Sequence, residues 1–291
     1  MSFKNSSGKI RDYLSLVKFS HTLFAMPFAL LGYFTAVKGD NYGFSGRILL
    51  LVLLCMVFAR NAAMGFNRYA DKRIDSMNPR TSGREIPAGV ISPHSALWFV
   101  IVNSLLFIVA AGLINRLTLL LSPVPLAVIL GYSLTKRFTS FSHLFLGLSL
   151  SLSPVGAYIA VSGEFAVIPL LYGLAVLTWV GGFDIIYSLQ DARFDRQNRL
   201  HSIPAAFGET KALLFSITLH MLSAIFVTTA GIISEAGIIY YTGVALFSAI
   251  LVAEHIIVRP GKTERINLAF ATFNSMAGII FSAFAIISLY L

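Results

Sequence analysis

The stretch R47-ILLLVLLCMVFA-R60-NAAMGF-N67-RYA-D71-KRI-D75 runs from an apolar segment directly into spaced carboxylates. Between Arg47 and Asn67 the only internal charge is Arg60. About 20 apolar residues in a helix suffice to cross roughly 30 Å of hydrocarbon. Asn67, Asp71 and Asp75 then follow at four-residue spacing, which on a helix brings side chains to one face. The stretch therefore predicts a membrane-crossing helix that delivers a pair of carboxylates to the membrane surface.

The rest of the chain repeats the pattern. Of 291 residues, 56% are hydrophobic and 12% charged, and the mean hydropathy is +0.78. A soluble domain carries about 25% charged residues, so this chain lacks the polar surface to face water. The alternating segments of about ten residues that mark a membrane β-barrel are missing. Nine spans are expected, at approximately 20–38, 47–67, 95–114, 118–135, 141–160, 166–187, 211–231, 237–257 and 268–290. The predicted class is all-α, one polytopic membrane domain over residues 1–291. Pro154 and Gly156 are expected to break the fifth span, and Pro169 and Gly173 the sixth.

Charge orients the spans. Lys4, Lys9, Arg11 and Lys18 lie in the N-terminal tail, and Lys72, Arg73, Arg80 and Arg84 in the second connection. Lys136 and Arg137 follow, then Arg193, Arg196, Arg199 and Lys211, then Arg259, Lys262 and Arg265, whereas Lys38, Arg47 and Arg116 are alone on the other side. The positive-inside rule makes the tail and the rich connections cytoplasmic, in a cell inner membrane with the first span a retained signal-anchor. The net charge of +9 thus reflects topology rather than a nucleic-acid partner. Cys55, the one cysteine, rules out an intrachain disulfide or a cysteine-based metal site. Two cytoplasmic connections, about 68–94 and 188–210, are long and polar. Both open with spaced carboxylates and reach an Ile-Pro-Ala segment (Ile86–Ala88 and Ile203–Ala205), weak evidence for an internal repeat.

The later of these two connections is entered through D184-IIY-S188-LQ-D191-ARF-D195. Each motif offers two carboxylates one turn apart, an arrangement that repels unless a cation is present. Hard oxygen ligands suit Mg²⁺, which binds a few carboxylates together with substrate phosphates. Arg80, Arg84, Lys136 and Arg137 add cations that match phosphate oxygens but equally match a topogenic or lipid-headgroup role. Asp71 and Asp75 alone would also read as a polar helix end paired to Lys72, Arg73 or Arg80. Asp184 lies deeper, where a charge is costly. It is open to three readings: orienting Tyr187 or a lysine, acting as a further ligand, or pairing structurally with a base. Arg60 and Asn61, inside the second span, are expected to line a cavity. The six histidines are scattered without H-E-x-x-H, and no phosphate-binding glycine loop is present, so zinc hydrolysis and nucleotide-driven chemistry are not indicated.

N67xxxD71xxxD75 and D184xxYSxxD191xxxD195, with R80-TSG-R84-EIPAG and Y132-SLT-K136-R137-FT, resemble the paired signatures of the UbiA superfamily of intramembrane prenyltransferases. The likeness is greatest for its 4-hydroxybenzoate polyprenyltransferase branch, and Ser188 stands where alanine is usual. The resemblance implies nine helices around a central cavity capped by the two motif connections. Asp71, Asp75, Asp191 and Asp195 would bind Mg²⁺ bridging a diphosphate, supported by Asn67. Arg80, Lys136 and Arg137 would lie near the diphosphate or an aromatic carboxylate, and an apolar groove would take the isoprenoid tail. The expected reaction joins a polyprenyl diphosphate to a ring carbon of a small aromatic acid in quinone synthesis. Asp184 or Tyr187 would orient the acceptor or assist proton removal; Phe24, Phe28, Phe66, Phe183 and Tyr187 are candidates to stabilise an allylic cation, though in a chain with 24 Phe each reads first as packing or lipid contact. A naphthoate acceptor in menaquinone synthesis, a transporter and a lipid-binding protein are the rival readings. No obligate protein partner is inferred.

Overall fold

The structure, a computed structural model, describes residues 6–17, 26–259, 266 and 272–291. Lys4, Lys18, His21, Phe24, Lys262, Arg265 and the starts of the first and last expected spans lie outside the described residues. The helices are α1 (Ser6–Leu16), α2 (Met26–Phe34, continued by a wider turn Thr35–Gly39), α3 (Gly46–Ala70), α4 (Lys72–Met77), α5 (Pro93–Ile114), α6 (Arg116–Leu121) and α7 (Pro123–Thr135). They continue with α8 (Ser142–Ser162), α9 (Val167–Ser188), α10 (Ala192–Gln197), α11 (Ile203–Phe207), α12 (Glu209–Ile233), α13 (Ile238–Ile257) and α14 (Asn274–Ser288).

Among the described residues, seven stretches are long and apolar enough to cross a membrane: α3, α5, α6 with α7, α8, α9 with α10, α12 and α13. They coincide with the seven middle spans expected from sequence. α2 and α14 lie where the first and ninth are expected, so the described residues agree with nine spans without completing the count. Trp98, Val109, Leu214, Met221 and Val252 are each more than half exposed on the outer faces. Apolar surface on that scale is a liability in water and suits hydrocarbon.

α9 is the central helix: 67% of its apolar window is buried, against 22–39% for the other crossings. It packs on α8 and α12, while α3 pairs with α5 and α13 with α14. Its fully buried Trp179 meets Phe28 of α2, Phe183 of α9 and Phe247 of α13. The Trp179 indole N–H donates to Asn274 Oδ1 of α14 at 3.2 Å. Small residues let the backbones approach, since lipid supplies no hydrophobic drive for helix association. A β-carbon on Gly147 would overlap the Leu177 carbonyl of α9, and one on Gly32 the Pro154 carbonyl of α8.

The expected breaks in the fifth and sixth spans are not found. α8 runs unbroken through Pro154. Proline cannot donate to the carbonyl four residues back, but the Ser153 hydroxyl donates to that Leu150 carbonyl at 2.8 Å. Pro169 lies in the first turn of α9, where no helical N–H is required. Gly173 faces the Ser151 carbonyl at close range, so it serves helix packing rather than a break.

Candidate active site

The two carboxylate motifs form matching junctions. α3 stops at Ala70, and Asp71 caps it while opening the short α4, whose first turn holds Asp75. Likewise α9 passes through a tight turn, Leu189–Asp191, into α10, whose first turn holds Asp195. Each pair therefore straddles a bend instead of riding one continuous helix, and the carboxylates still converge. Asp71, Asp75, Asp184, Asp191 and Asp195 all line one polar cavity of about 260 Å³ at the end of the bundle. The repeated junction supports the internal repeat more strongly than the Ile-Pro-Ala segments do, because Ile203 and Pro204 open α11 whereas residues 86–88 lie in turns.

Each of the four paired aspartates, Asp71, Asp75, Asp191 and Asp195, has its own cation. Arg80 Nε donates to Asp191 Oδ1 at 2.9 Å while its Nη2 pairs with the second oxygen, a two-pronged contact. Asn78 Nδ2 donates to the same Asp191 Oδ1 at 3.1 Å, and Arg80 Nη1 reaches the Tyr187 hydroxyl at 3.1 Å. Arg84 Nη1 lies 2.6 Å from Asp75 Oδ1, Lys136 Nζ 3.7 Å from Asp195 Oδ2, and Arg137 Nη2 3.3 Å from Asp71 Oδ1. Asn67 Nδ2 donates to Asp71 Oδ2 at 3.3 Å, and Ser202 Oγ to Asp195 Oδ2 at 2.8 Å. The partners of Asp71 and Asp75 are thus Arg137 and Arg84, not Lys72, Arg73 or Arg80. Burial, reinforced by Asp75, pushes the Asp71 carboxyl above its ordinary range despite the Arg137 hydrogen bond. Burial works against the Arg80 cation, but its hydrogen bonds and the Asp191 charge carry it above its ordinary value.

Several buried polar atoms of this cavity have no hydrogen-bond partner: Arg60 Nε, Arg68 Nε, Asp75 Oδ2, Ser133 Oγ and Ser142 Oγ. Leaving such groups unpaired is costly, so their convergence on one space marks a site for a polar, charged ligand. Among the described residues, Arg60 and Arg68 have no carboxylate within ion-pair distance. Arg60, Met64, Tyr132, Leu146 and Leu150 also line a second, apolar cavity of about 320 Å³. That cavity extends between α3, α5, α7 and α8 past Cys55, Phe107 and Gly156 to Ile114 and Phe165. A polar head chamber thus adjoins an apolar one, and Arg60 stands at their junction.

Sequence expectations are met unevenly. Asn67, Arg80, Arg84, Lys136 and Tyr187 line the polar cavity, while Arg137 reaches Asp71 and the Ala70 carbonyl from the rim. Asn61 does not line it, but donates to Asn103 Oδ1 of α5 at 3.0 Å. Phe183 is in the lining, whereas Phe28 packs on Trp179 and Phe66 beside Tyr69. The partner of Asp184 is His143, with Nδ1 2.7 Å from Oδ2, rather than Tyr187 or a lysine. His220 and His255 also meet, at 2.9 Å between α12 and α13. Neither histidine contact has a local sequence signal, because the partners are 41 and 35 residues apart.

Known proteins resemble this chain in sequence and in fold. The chain is 28% identical over 235 residues to a 4-hydroxybenzoate octaprenyltransferase of Nitrosomonas eutropha, covering 81% of this chain and 82% of the relative. The apo structure of a UbiA homolog from Aeropyrum pernix K1 superposes with a TM-score of 0.83 at 33% identity, over 92% of this chain and 97% of that one. A UbiA homolog from Archaeoglobus fulgidus, solved with GPP and Mg²⁺, shares the fold with a TM-score of 0.68 at 21% identity, over 96% and 100% of the two chains. Residues 25–277 match the UbiA prenyltransferase family, and with its repeated apolar crossings this chain belongs to that family as a multi-pass membrane protein.

Proposed function

We propose that this chain transfers a polyprenyl group from its diphosphate to a ring carbon of 4-hydroxybenzoate, in quinone synthesis at the cytoplasmic face of an inner membrane. The observation that carries this reading is the junction of the two cavities. Four paired carboxylates and their cations surround a space for a diphosphate, and an apolar chamber for an isoprenoid tail opens from it. The name of the Nitrosomonas relative supports the acceptor, and the positive-inside pattern supports the orientation. A transport site would lie near the membrane midplane, whereas these carboxylates sit at helix ends.

The residues fit Mg²⁺. All donors in the motifs are hard oxygens, and Asp75 Oδ2 is buried with no partner of its own. Among the described residues no three acidic, histidine or cysteine groups cage an ion by themselves, in keeping with a cation that shares its shell with phosphate. When bound, Mg²⁺ would supply positive charge to the diphosphate oxygens.

The protein's own residues do the remainder. Arg80, Arg84, Lys136 and Arg137 are positioned to compensate negative charge developing on the diphosphate as the allylic C–O bond breaks. The Phe183 and Tyr187 side chains line the cavity and would stabilise the allylic cation through their rings, and the apolar walls would keep water from it. Arg60, unpaired at the junction, would hold the acceptor's carboxylate with its ring beside C1 of the donor. The test is product formation by purified protein in detergent, offering geranyl diphosphate and a panel of aromatic acids. Prenylated 4-hydroxybenzoate supports the reading, and a product only with a naphthoate moves the protein to menaquinone synthesis.

A further inference from the structure

Five carboxylates line the polar cavity, and the structure treats one of them differently. Asp71, Asp75, Asp191 and Asp195 each have a lysine or arginine within ion-pair distance. Asp184 has none among the described residues, and its partner is the fully buried His143.

The tautomer of His143 follows from its contacts. The backbone N–H of Ile203 donates to Nε2 at 3.4 Å, so Nε2 is an acceptor. Neutral His143 therefore carries its proton on Nδ1 and donates it to Asp184 Oδ2 at 2.7 Å. Asp184 thus accepts from a neutral donor, no Lys or Arg among the described residues lies within ion-pair distance of it, and it remains about a fifth exposed to the cavity. Its position is as distinctive as its partner. It lies on α9, one turn before that helix ends at Ser188 and ahead of the tight turn Leu189–Asp191, and thus deeper in the bundle than Asp191. On α8, Leu146 and Leu150 lie one and two turns beyond His143 and line both cavities. The reacting C1 must sit where head and tail chambers meet, and Asp184 lines the head chamber together with Leu146 and Leu150, which line both.

We propose that His143 is a positioning residue that holds Asp184 as the base receiving the ring proton of the aromatic acceptor; this rests on the reading of the chain as an aromatic prenyltransferase. The C1–O pair departs with the diphosphate, and the ring carbon's π-electrons then form the new bond to the allylic cation at C1. The proton on that ring carbon then passes to Asp184, and the C–H electrons restore the aromatic ring. Donor and acceptor give prenylated acid, diphosphate and one proton.

The experiment compares wild type, Asp184→Asn, His143→Leu and His143→Asn with geranyl diphosphate, Mg²⁺ and 4-hydroxybenzoate, either unlabelled or ring-deuterated. Asp184→Asn is nearly isosteric and decides the matter even if His143→Leu fails to fold. The expected result is a fall in kcat of about 100-fold or more, with a primary isotope effect larger than that of wild type as proton loss becomes limiting. His143→Leu should do the same, and His143→Asn, whose amide N–H replaces Nδ1–H, should restore most of the rate. Full kcat in Asp184→Asn, or a fall with an unchanged isotope effect, overturns the proposal. No product from wild type with any aromatic acid removes the underlying reading, and the proposal with it.

Discussion

Arg80 and Asp191 lie 111 residues apart in the chain and meet through two hydrogen-bonded prongs, with Asn78 donating to the same carboxylate. The contact fastens the connection after the first carboxylate motif onto the second motif. A planar guanidinium can make this fork and a lysine ammonium cannot. Arg80→Lys keeps the charge but loses one prong and the Tyr187 contact. A fall in kcat/KM of about 10- to 100-fold is expected, in line with a charged hydrogen bond worth roughly 1.5–3 kcal/mol. Steady-state prenyl transfer checks it.

Asp75 is 4% exposed and Arg84 is its ion-pair partner. Removing one side of a buried pair leaves an uncompensated charge, at about 3–5 kcal/mol. Arg84→Ala should lower the unfolding midpoint in detergent, and Asp75→Asn added to it should recover part of the loss. A double variant no more stable than Arg84→Ala would count against this charge argument.

The packing of α8 on α9 gives a stability prediction away from the site. A β-carbon on Gly147 would overlap the Leu177 backbone, and no flexible side chain can yield there. Gly147→Ala should destabilise the protein by roughly 1–3 kcal/mol through overpacking, although alanine is the better helix former. Thermal unfolding in detergent reads it directly.

Gly156 behaves oppositely. It lines the apolar chamber, and a β-carbon there would meet no atom within 4 Å. Gly156→Leu should leave geranyl transfer within a few-fold of wild type while reducing transfer of an octaprenyl group by about tenfold or more. The ratio of the two kcat/KM values is the measurement.

What the sequence made legible were features written in local spacing. The crossings follow from apolar length, and the carboxylate pairs from four-residue intervals, so Asp71, Asp75, Asp191 and Asp195 were identifiable before the fold was seen. Pro154 misleads because proline in a helix signals a break, and the compensating Ser153 hydroxyl is visible only in three dimensions. Asn61 likewise looked like a cavity residue until α5 supplied Asn103. His143 carried no signal because its meaning depends on Asp184 and on the Ile203 backbone. The bends at Asp71 and Asp191 were also hidden, since a four-residue interval reads the same across a tight turn as along an unbroken helix.

The two motifs, brought together at one cavity, are expected to bind a diphosphate jointly with Mg²⁺. Calorimetric titration of geranyl diphosphate into wild type, Asp75→Asn and Asp195→Asn, with Mg²⁺ or with a chelator, tests it most directly. Mg²⁺-dependent binding is expected in wild type, with a loss of about tenfold or more in affinity from either substitution alone. Binding that survives chelation, or that depends on only one of the two motifs, would contradict it.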